Sequence, residues 1–261
     1  MLQSLYQGSI ADAESRQVNL SASQLEELAL SAQPALDALA HLAPREIVHI
    51  LAEVKRASPS KGALADIKDP ALLAETYEQS GASAISVLTE ERKFKGSLQD
   101  LADVRSGVRV PLLRKDFIAT EYQLLEARAF GADIFLLIVA GLTEQRLVEL
   151  KNFGEQLGMT AFVETHTADE VRTALNVGSK LLGVNARDLS TFETDRNLFG
   201  RLVDMIPSDV IKVAESAVRD SKDVLHYRQA GADVVLVGEA LVTSNPAETL
   251  RSFLEVEANR I

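Results

Sequence analysis

The sequence predicts an α/β protein built as one parallel (β/α)8 barrel, with a helical extension in front of it. Three observations carry that expectation. Strand-length runs rich in valine, isoleucine and leucine recur eight times, nearly continuous in apolar character, as strands covered on both faces should be. Helical stretches separate them, and several end in Gly-Ala-Asp or a close variant, a C-terminal glycine leading straight into the next strand. The 261 residues suit a barrel of this kind, which typically needs about 250.

Taken in order, residues 1–45 differ from the rest. "SASQLEELAL" has a capping-box pattern, Ser23 with Glu26 three residues on, opening an apolar spacing through Leu25, Leu28 and Leu30. Residues 1–45 are therefore expected to be an N-terminal helical extension packed on the main domain, with Pro44 closing it. The runs then follow: "IVHILAEV", "AISVLTE", "VPLLRKDF", "DIFLLIVAG", "TAFVETH", "LLGVNARD", "VIKVAES" and "DVVLVGEA". Between them lie "DPALLAETYEQSGA", "TEYQLLEARAFGAD", "TEQRLVELKNFGEQLG" and "SKDVLHYRQAGAD", each with helical spacing. Residues 46–261 are read as eight βα units, and no linker or composition shift splits 1–261 into further domains. A doubly wound open sheet is the alternative, and it would need a topological switch point and usually fewer strands.

Composition narrows the function. A net charge of −11 argues against a general nucleic-acid binder or a protein of anionic membrane surfaces, while leaving small anionic substrates open. Without cysteine there are no disulfides, thiolate metal sites or thiol nucleophiles. His41, His49, His166 and His226 are scattered with no i, i+4 pair, so no metal is expected. No apolar run approaches the roughly 20 residues of a membrane span, and the N-terminus lacks the basic and apolar regions of a secretory signal. The expectation is a cytoplasmic protein, and a monomer, given its acidic surface and lack of an obvious exposed apolar stripe.

Polar residues sit where a barrel keeps its active site, at the C-terminal ends of the strands. Residues two apart share a face of a strand. That pairs Glu53 with Lys55, Leu113 with Lys115, Phe162 with Glu164, Gly183 with Asn185 and Val213 with Glu215. A single charge at a strand end is usually the chain emerging into water. Four strands carrying an acid or a lysine at the corresponding point, with an asparagine on a fifth, make a converging acid–base set. Gly238, in the turn before a helix expected to start near Glu239, falls where barrels often bind phosphate on backbone N–H groups. "AESAV" and "SPSKG" could complete such a site, through Ser58 and backbone donors.

The stretches "EVKRASPSKG", "SVLTEERKFKGSLQDL", "PLLRKDFIATEYQLLEARAFGAD", "GVNARDLSTFETD", "KVAES" and "LVGEALV" together resemble the indole-3-glycerol phosphate synthase family, from about residue 47 to the C-terminus. The resemblance implies a cofactor-free carboxy-lyase of tryptophan biosynthesis. Its substrate would be the small anion 1-(o-carboxyphenylamino)-1-deoxyribulose 5-phosphate, closed to indole-3-glycerol phosphate with loss of carbon dioxide and water. It implies Lys115 as general acid on the carbonyl oxygen. Glu164 would be the general base or would stabilise cationic character on the aniline nitrogen. Lys55 would hold the substrate carboxylate, with either lysine open as the acid in dehydration. Glu53, Asn185 and Glu215 would orient lysines and hydroxyls, and Arg187 would support them. Phosphate would fall to Ser58, Ser216, Gly238 and the N–H of Glu239, and Phe94, Phe117, Leu136 and Leu189 would line the apolar floor. Two departures stand out: Ala217 where the family usually has glycine, and Ala240 for a residue often hydroxylated. Another sugar-phosphate barrel, such as phosphoribosylanthranilate isomerase, and a non-catalytic phosphate-ligand binder are the alternatives. The absence of cysteine and the intact "KRASPS" and "LRKDF" runs weigh against the first, and the presence of every expected proton-transfer residue weighs against the second.

Overall fold

The computed structural model describes residues 1–188 and 191–256. Eight parallel strands close into a barrel: β1 (His49–Val54), β2 (Ala84–Leu88), β3 (Leu112–Lys115), β4 (Ile134–Ile138), β5 (Thr160–Thr165), β6 (Leu181–Asn185), β7 (Ile211–Glu215) and β8 (Val234–Val237). Neighbours follow chain order and β8 pairs with β1, so no strand of the barrel is left as an edge. All eight apolar runs became strands, and the closed ring removes the open-sheet alternative.

Alternation divides each strand between two cores. Leu51, Leu113, Leu136, Phe162, Val213 and Leu236 fill the barrel interior. Their neighbours Ile50, Ala52, Leu112, Leu137, Val163, Ala214 and Val235 face outward against the helices. Each of these side chains larger than alanine contributes about 1.5–3 kcal/mol on removal from water, so a one-residue slip in register would be costly on both faces at once.

Outside the barrel lie α4 (Pro70–Gln79), α5 (Leu98–Gly107), α6 (Glu121–Ala129), α7 (Glu144–Gln156), α8 (Ala168–Asn176), α9 (Leu198–Leu202), α10 (Ser221–Gln229), α11 (Glu239–Val242) and α12 (Pro246–Leu254). The Gly-Ala-Asp signature works as expected. Gly131 and Gly231 take φ of +93° and +100°, a turn that a side chain would strain.

The extension is more elaborate than its sequence suggests. It holds α1 (Leu2–Gln17), α2 (Ala22–Ser31) and α3 (Ala38–His41), and the first of these had no clear apolar period. The capping box is not Ser23 with Glu26. Ser21 is the N-cap of α2 and exchanges hydrogen bonds with Gln24, because the chain turns helical one residue after Ser21. Leu25 and Ala29 face inward, against Tyr122 and Leu125 of α6, while Leu28 and Leu30 are 50% and 70% exposed. The inward face therefore runs i, i+4 from Leu25 and ends on a small residue that lets the helices approach.

A fully buried polar network pins α1 to β3. Arg114 has no exposed surface and donates to Asp116 Oδ2 at 2.9 Å, Glu126 Oε2 at 3.2 Å and the carbonyl of Gln123. Ser9 of α1 donates to Asp116 Oδ1 at 2.9 Å and accepts from Gln123 Nε2 at 2.9 Å. Burial would raise the Asp116 carboxyl, yet Arg114 and the Thr89 and Ser9 hydroxyls together outweigh it and hold the carboxyl below its usual range. Removing one member leaves a buried charge uncompensated, typically about 3–5 kcal/mol. Asp116→Ala is thus expected to lose at least about 3 kcal/mol in urea unfolding followed by circular dichroism. A loss under about 1 kcal/mol, the scale of an exposed ion pair, would contradict this account.

Candidate active site

The C-terminal rim of the barrel opens into a cavity of about 670 Å³. It brings together Glu53, Lys55, Lys115, Glu164, Asn185 and Glu215, along with Ser58, Phe94, Phe117, Leu136, Arg187, Ser216, Gly238 and Glu239. Leu189 lies outside the described residues. Strand register aims the polar set: Asn185 lies beside Glu215 across β6 and β7, and Ile138 beside Glu164 across β4 and β5. Parallel pairing thus turns residues far apart in the chain into one ring of side chains.

Lys115 is the hub. Its Nζ donates to Glu164 Oε2 at 2.7 Å and Glu215 Oε2 at 2.6 Å, and it sits 5.7 Å from the centre of the Phe162 ring beneath it. Both carboxylates are buried, at 2% and 1% exposure. Burial pulls the Lys115 pKa down, but Glu164, Glu215 and Glu53 together outweigh it, so the ammonium is held well above its usual range. The two acids diverge. Burial raises Glu164, and Lys115 with His166 overcome it, leaving its pKa lowered. Glu215 is pushed up to about 8 by burial and by the repulsion of Glu164. Its Oε1 is buried with no hydrogen-bond partner among the described residues, the environment of a neutral carboxyl. One carboxylate is kept charged and the other close to neutral, which separates their chemical roles.

A second pair stands on β1, where Lys55 Nζ lies 2.5 Å from Glu53 Oε1. Asn185 links the groups: its Nδ2 donates to Glu164 Oε1 at 3.0 Å, and its Oδ1 accepts from Ser216 Oγ at 2.8 Å and from the Arg187 N–H at 3.0 Å. The Arg187 guanidinium reaches the Phe192 carbonyl and Ser60, bracing the loop after β6.

Two glycines make room for these charges. A Cβ at Gly183 would overlap Glu215 Oε1 and the Phe162 ring, and one at Gly238 would overlap Glu53 Oε1 and Lys55 Nζ. Gly238 is therefore a close-approach site for the Glu53–Lys55 pair, besides opening α11. Near it the backbone is strained. Ser216 and Ala217 take φ of +70° and +58°, so Ala217, where the resemblance leads one to expect glycine, holds a left-handed position. Across the mouth, Lys61 Nζ meets Glu239 Oε1 at 2.5 Å. Opposite, Phe94 and Phe117 stand 6.2 Å apart between ring centres, backed by Tyr6 of α1 at 5.6 Å from Phe117.

Sequence reasoning missed several members. Leu5 of α1 and Lys61 line the cavity. His166, two residues past Glu164, comes within 3.3 Å of Glu164 Oε1. The alternation that linked Phe162 to Glu164 continues to His166 and could have found it. Leu5 gave no such signal, because α1 has no marked apolar period.

Two expectations follow. A carboxyl whose folded pKa is raised favours folding only while protonated, so the Glu215 contribution is present at low pH and lost as pH rises through about 8. Glu215→Gln mimics the neutral form. It should match the parent in urea unfolding near pH 4.5, become relatively more stable as pH rises, and hold a constant advantage above about pH 8; a difference independent of pH would contradict the raised pKa. Ala217→Gly should relieve about 1 kcal/mol of left-handed strain, read as a higher denaturation midpoint, and a lower one would refute the strain.

Known proteins place this geometry. The family model described as indole-3-glycerol phosphate synthase matches residues 2–253. The indole-3-glycerol phosphate synthase of Leifsonia xyli subsp. xyli is 60% identical over 253 residues, covering 97% of each chain. That of Rhodococcus jostii is 54% identical over 260 residues, covering 99% of this chain and 96% of its own. Among solved structures, the thiamine phosphate pyrophosphorylase from Pyrococcus furiosus superposes with a TM-score of 0.61 at 13% identity, over 81% of this chain and 95% of its own, a likeness of fold alone. Matched over nearly its whole length, with an acid–base ring at the strand ends, the chain belongs to the indole-3-glycerol phosphate synthase family.

Proposed function

We infer that this chain closes the indole ring of indole-3-glycerol phosphate, with the Lys115 ammonium as the proton donor that starts the reaction. The observation that carries the assignment is one lysine shared by two buried carboxylates of opposite tuning, between an aromatic wall and a strained, polar turn. The substrate, 1-(o-carboxyphenylamino)-1-deoxyribulose 5-phosphate, has a ring, a carboxylate, a ketone and a phosphate, and the cavity offers a place for each.

The phosphate fits the β7–α10 and β8–α11 turns, on backbone N–H groups around Ala217 and Glu239 and on Ser58. The Ser216 hydroxyl is already donated to Asn185, so that residue offers its backbone. Phe94, Phe117 and Leu136 take the aromatic ring, and Lys55 takes the carboxylate. Held at both ends, the molecule folds so that the ring carbon bearing the carboxylate meets the ketone carbon, an approach that positioning makes effectively unimolecular.

As that bond forms, the ketone π pair moves to oxygen and Lys115 protonates it. The bond to the carboxylate then breaks, carbon dioxide leaves, and its electron pair restores the ring. The hydroxyl departs as water with a proton from Lys55 or Lys115, while Glu164 accepts the adjacent C–H proton. One proton is consumed overall and returns from solvent to the lysine. The scheme assigns every step to side chains and calls on no cofactor. The same proposal treats 1–261 as one domain, since α1 supplies part of the cavity wall, and as a cytoplasmic monomer. Among the described residues no helix is long and apolar enough to cross a membrane.

The test is turnover of that substrate by purified protein, followed by indole fluorescence in chelator. Lys115→Ala should lower kcat by about a thousandfold or more with the far-ultraviolet circular dichroism unchanged. Normal turnover in that variant would remove Lys115 from the role, and tight substrate binding by the parent without turnover would reduce the cavity to a binding site.

A further inference from the structure

His166 plays no part in the scheme above, yet it is built into the site on both sides of its ring. Its side chain is 11% exposed. Glu170, at the start of α8, holds one edge: its Oε2 accepts the His166 backbone N–H at 2.8 Å and lies 3.2 Å from Nδ1. Two contacts to one oxygen fix the ring orientation and place a proton on Nδ1. The other edge faces Glu164, with Nε2 3.3 Å from Oε1 and no aligned hydrogen-bond partner among the described residues. In a neutral ring protonated on Nδ1, Nε2 would direct a lone pair at that carboxylate. Opposing lone pairs at 3.3 Å in a buried site repel, whereas a proton on Nε2 turns the contact into attraction.

We propose that His166 is an imidazolium that positions the base: it fixes Glu164 Oε1 and keeps the carboxyl anionic when Lys115 gives its proton away. This deepens the reading of Glu164 as general base and rests on it. In the resting site, Lys115 neutralises Glu164 through Oε2. Once Lys115 has passed its proton to the substrate oxygen, that countercharge is gone at the stage when Glu164 must still be free to accept a proton. Asn185 Nδ2 donates to Oε1 but carries no charge. His166 retains its own charge because Glu170 holds it from behind, outside the reaction.

The groups facing the pair come from several elements. Glu164 and His166 lie on β5 and its end, Glu170 on α8, Lys115 on β3, Asn185 on β6 and Glu215 on β7, and the neutral Tyr6 phenol on α1 lies in the field of Glu164. Burial pulls the His166 pKa down, while Glu164 and Glu170 overcome it and raise it to about 10, in accord with the geometry. A cation with pKa of about 10 stays charged across the neutral range, so His166 acts as a fixed charge and not as a proton shuttle.

The first experiment reads the ring without turnover. In protein labelled with nitrogen-15 at histidine, with the His166 signals assigned by their loss in His166→Gln, both ring nitrogens should report imidazolium at pH 8. A neutral ring at pH 8 would overturn the proposal. In Glu170→Gln the His166 midpoint should fall by about one unit or more, and an unchanged midpoint would count against the two-carboxylate clamp. The second experiment reads chemistry. His166→Gln keeps a donor and loses the charge, so kcat should fall about tenfold or more and its acidic limb move up by about one pH unit, with KM changed less than about twofold. A folded His166→Gln protein with the parent kcat and acidic limb would overturn the proposal. Should that variant not fold, the parent and Glu170→Gln titrations decide it, with His166 then assigned by elimination using variants of His41, His49 and His226. Imidazolium in a parent that does not turn over the substrate would refute the assigned reaction and uphold the clamp.

Discussion

Taking one ammonium group out of water dictates much of this molecule. Lys115 ends a strand inside a closed barrel, where a lone charge would cost several kcal/mol. Its stability there depends on carboxylates arriving from β5 and β7, and their arrival depends on register. The same low dielectric that makes the arrangement costly also makes it reactive. Two acids close together cannot both ionise freely, so one is driven towards neutrality and the other is kept as an anion.

Around that centre, small residues act as spacers for charge. Gly183 gives up its side-chain volume to Glu215, and Gly238 gives up its volume to Glu53 and Lys55. The apolar layer below, with Phe162 under the lysine, keeps water from entering beneath the ions. Charge, volume and register are therefore set together, and a change to any one of them is felt by the others.

Much of this was legible in the sequence, for physical reasons. Buried parallel strands must be apolar on both faces, so the eight runs stood out. Alternation then showed which polar side chains would point inward at their ends, from Glu53 to Glu215. The rest depended on contacts with no local signature. Helix α1 buries Leu5, Tyr6, Gly8, Ser9 and Ala13, a mixed set recognisable only against the surface that receives it. The Ser21–Gln24 cap competed with a similar pattern two residues on, and the chain takes the first of them: Ser21 is extended and Ser23 already lies inside the helix. Arg114 lies beside Lys115 in "LRKDF", yet one is wholly buried on the helix side and the other opens to the cavity. The left-handed angle at Ala217 was foreseeable only as a departure from a familiar pattern.

The buried link between Ser9 and Asp116 joins positions 107 residues apart. A ribosome adding roughly 5–20 residues per second makes α1 well before its receptor, so the helix waits on the order of 5–20 seconds before β3 and α6 exist to receive it. The barrel itself waits longer, because β1 can complete its pairing only when β8, near the end of the chain, has emerged. For most of its synthesis this protein is a growing, unclosed sheet with an exposed edge on each side. The chain's first strand is, in time, among the last pieces to be fully paired.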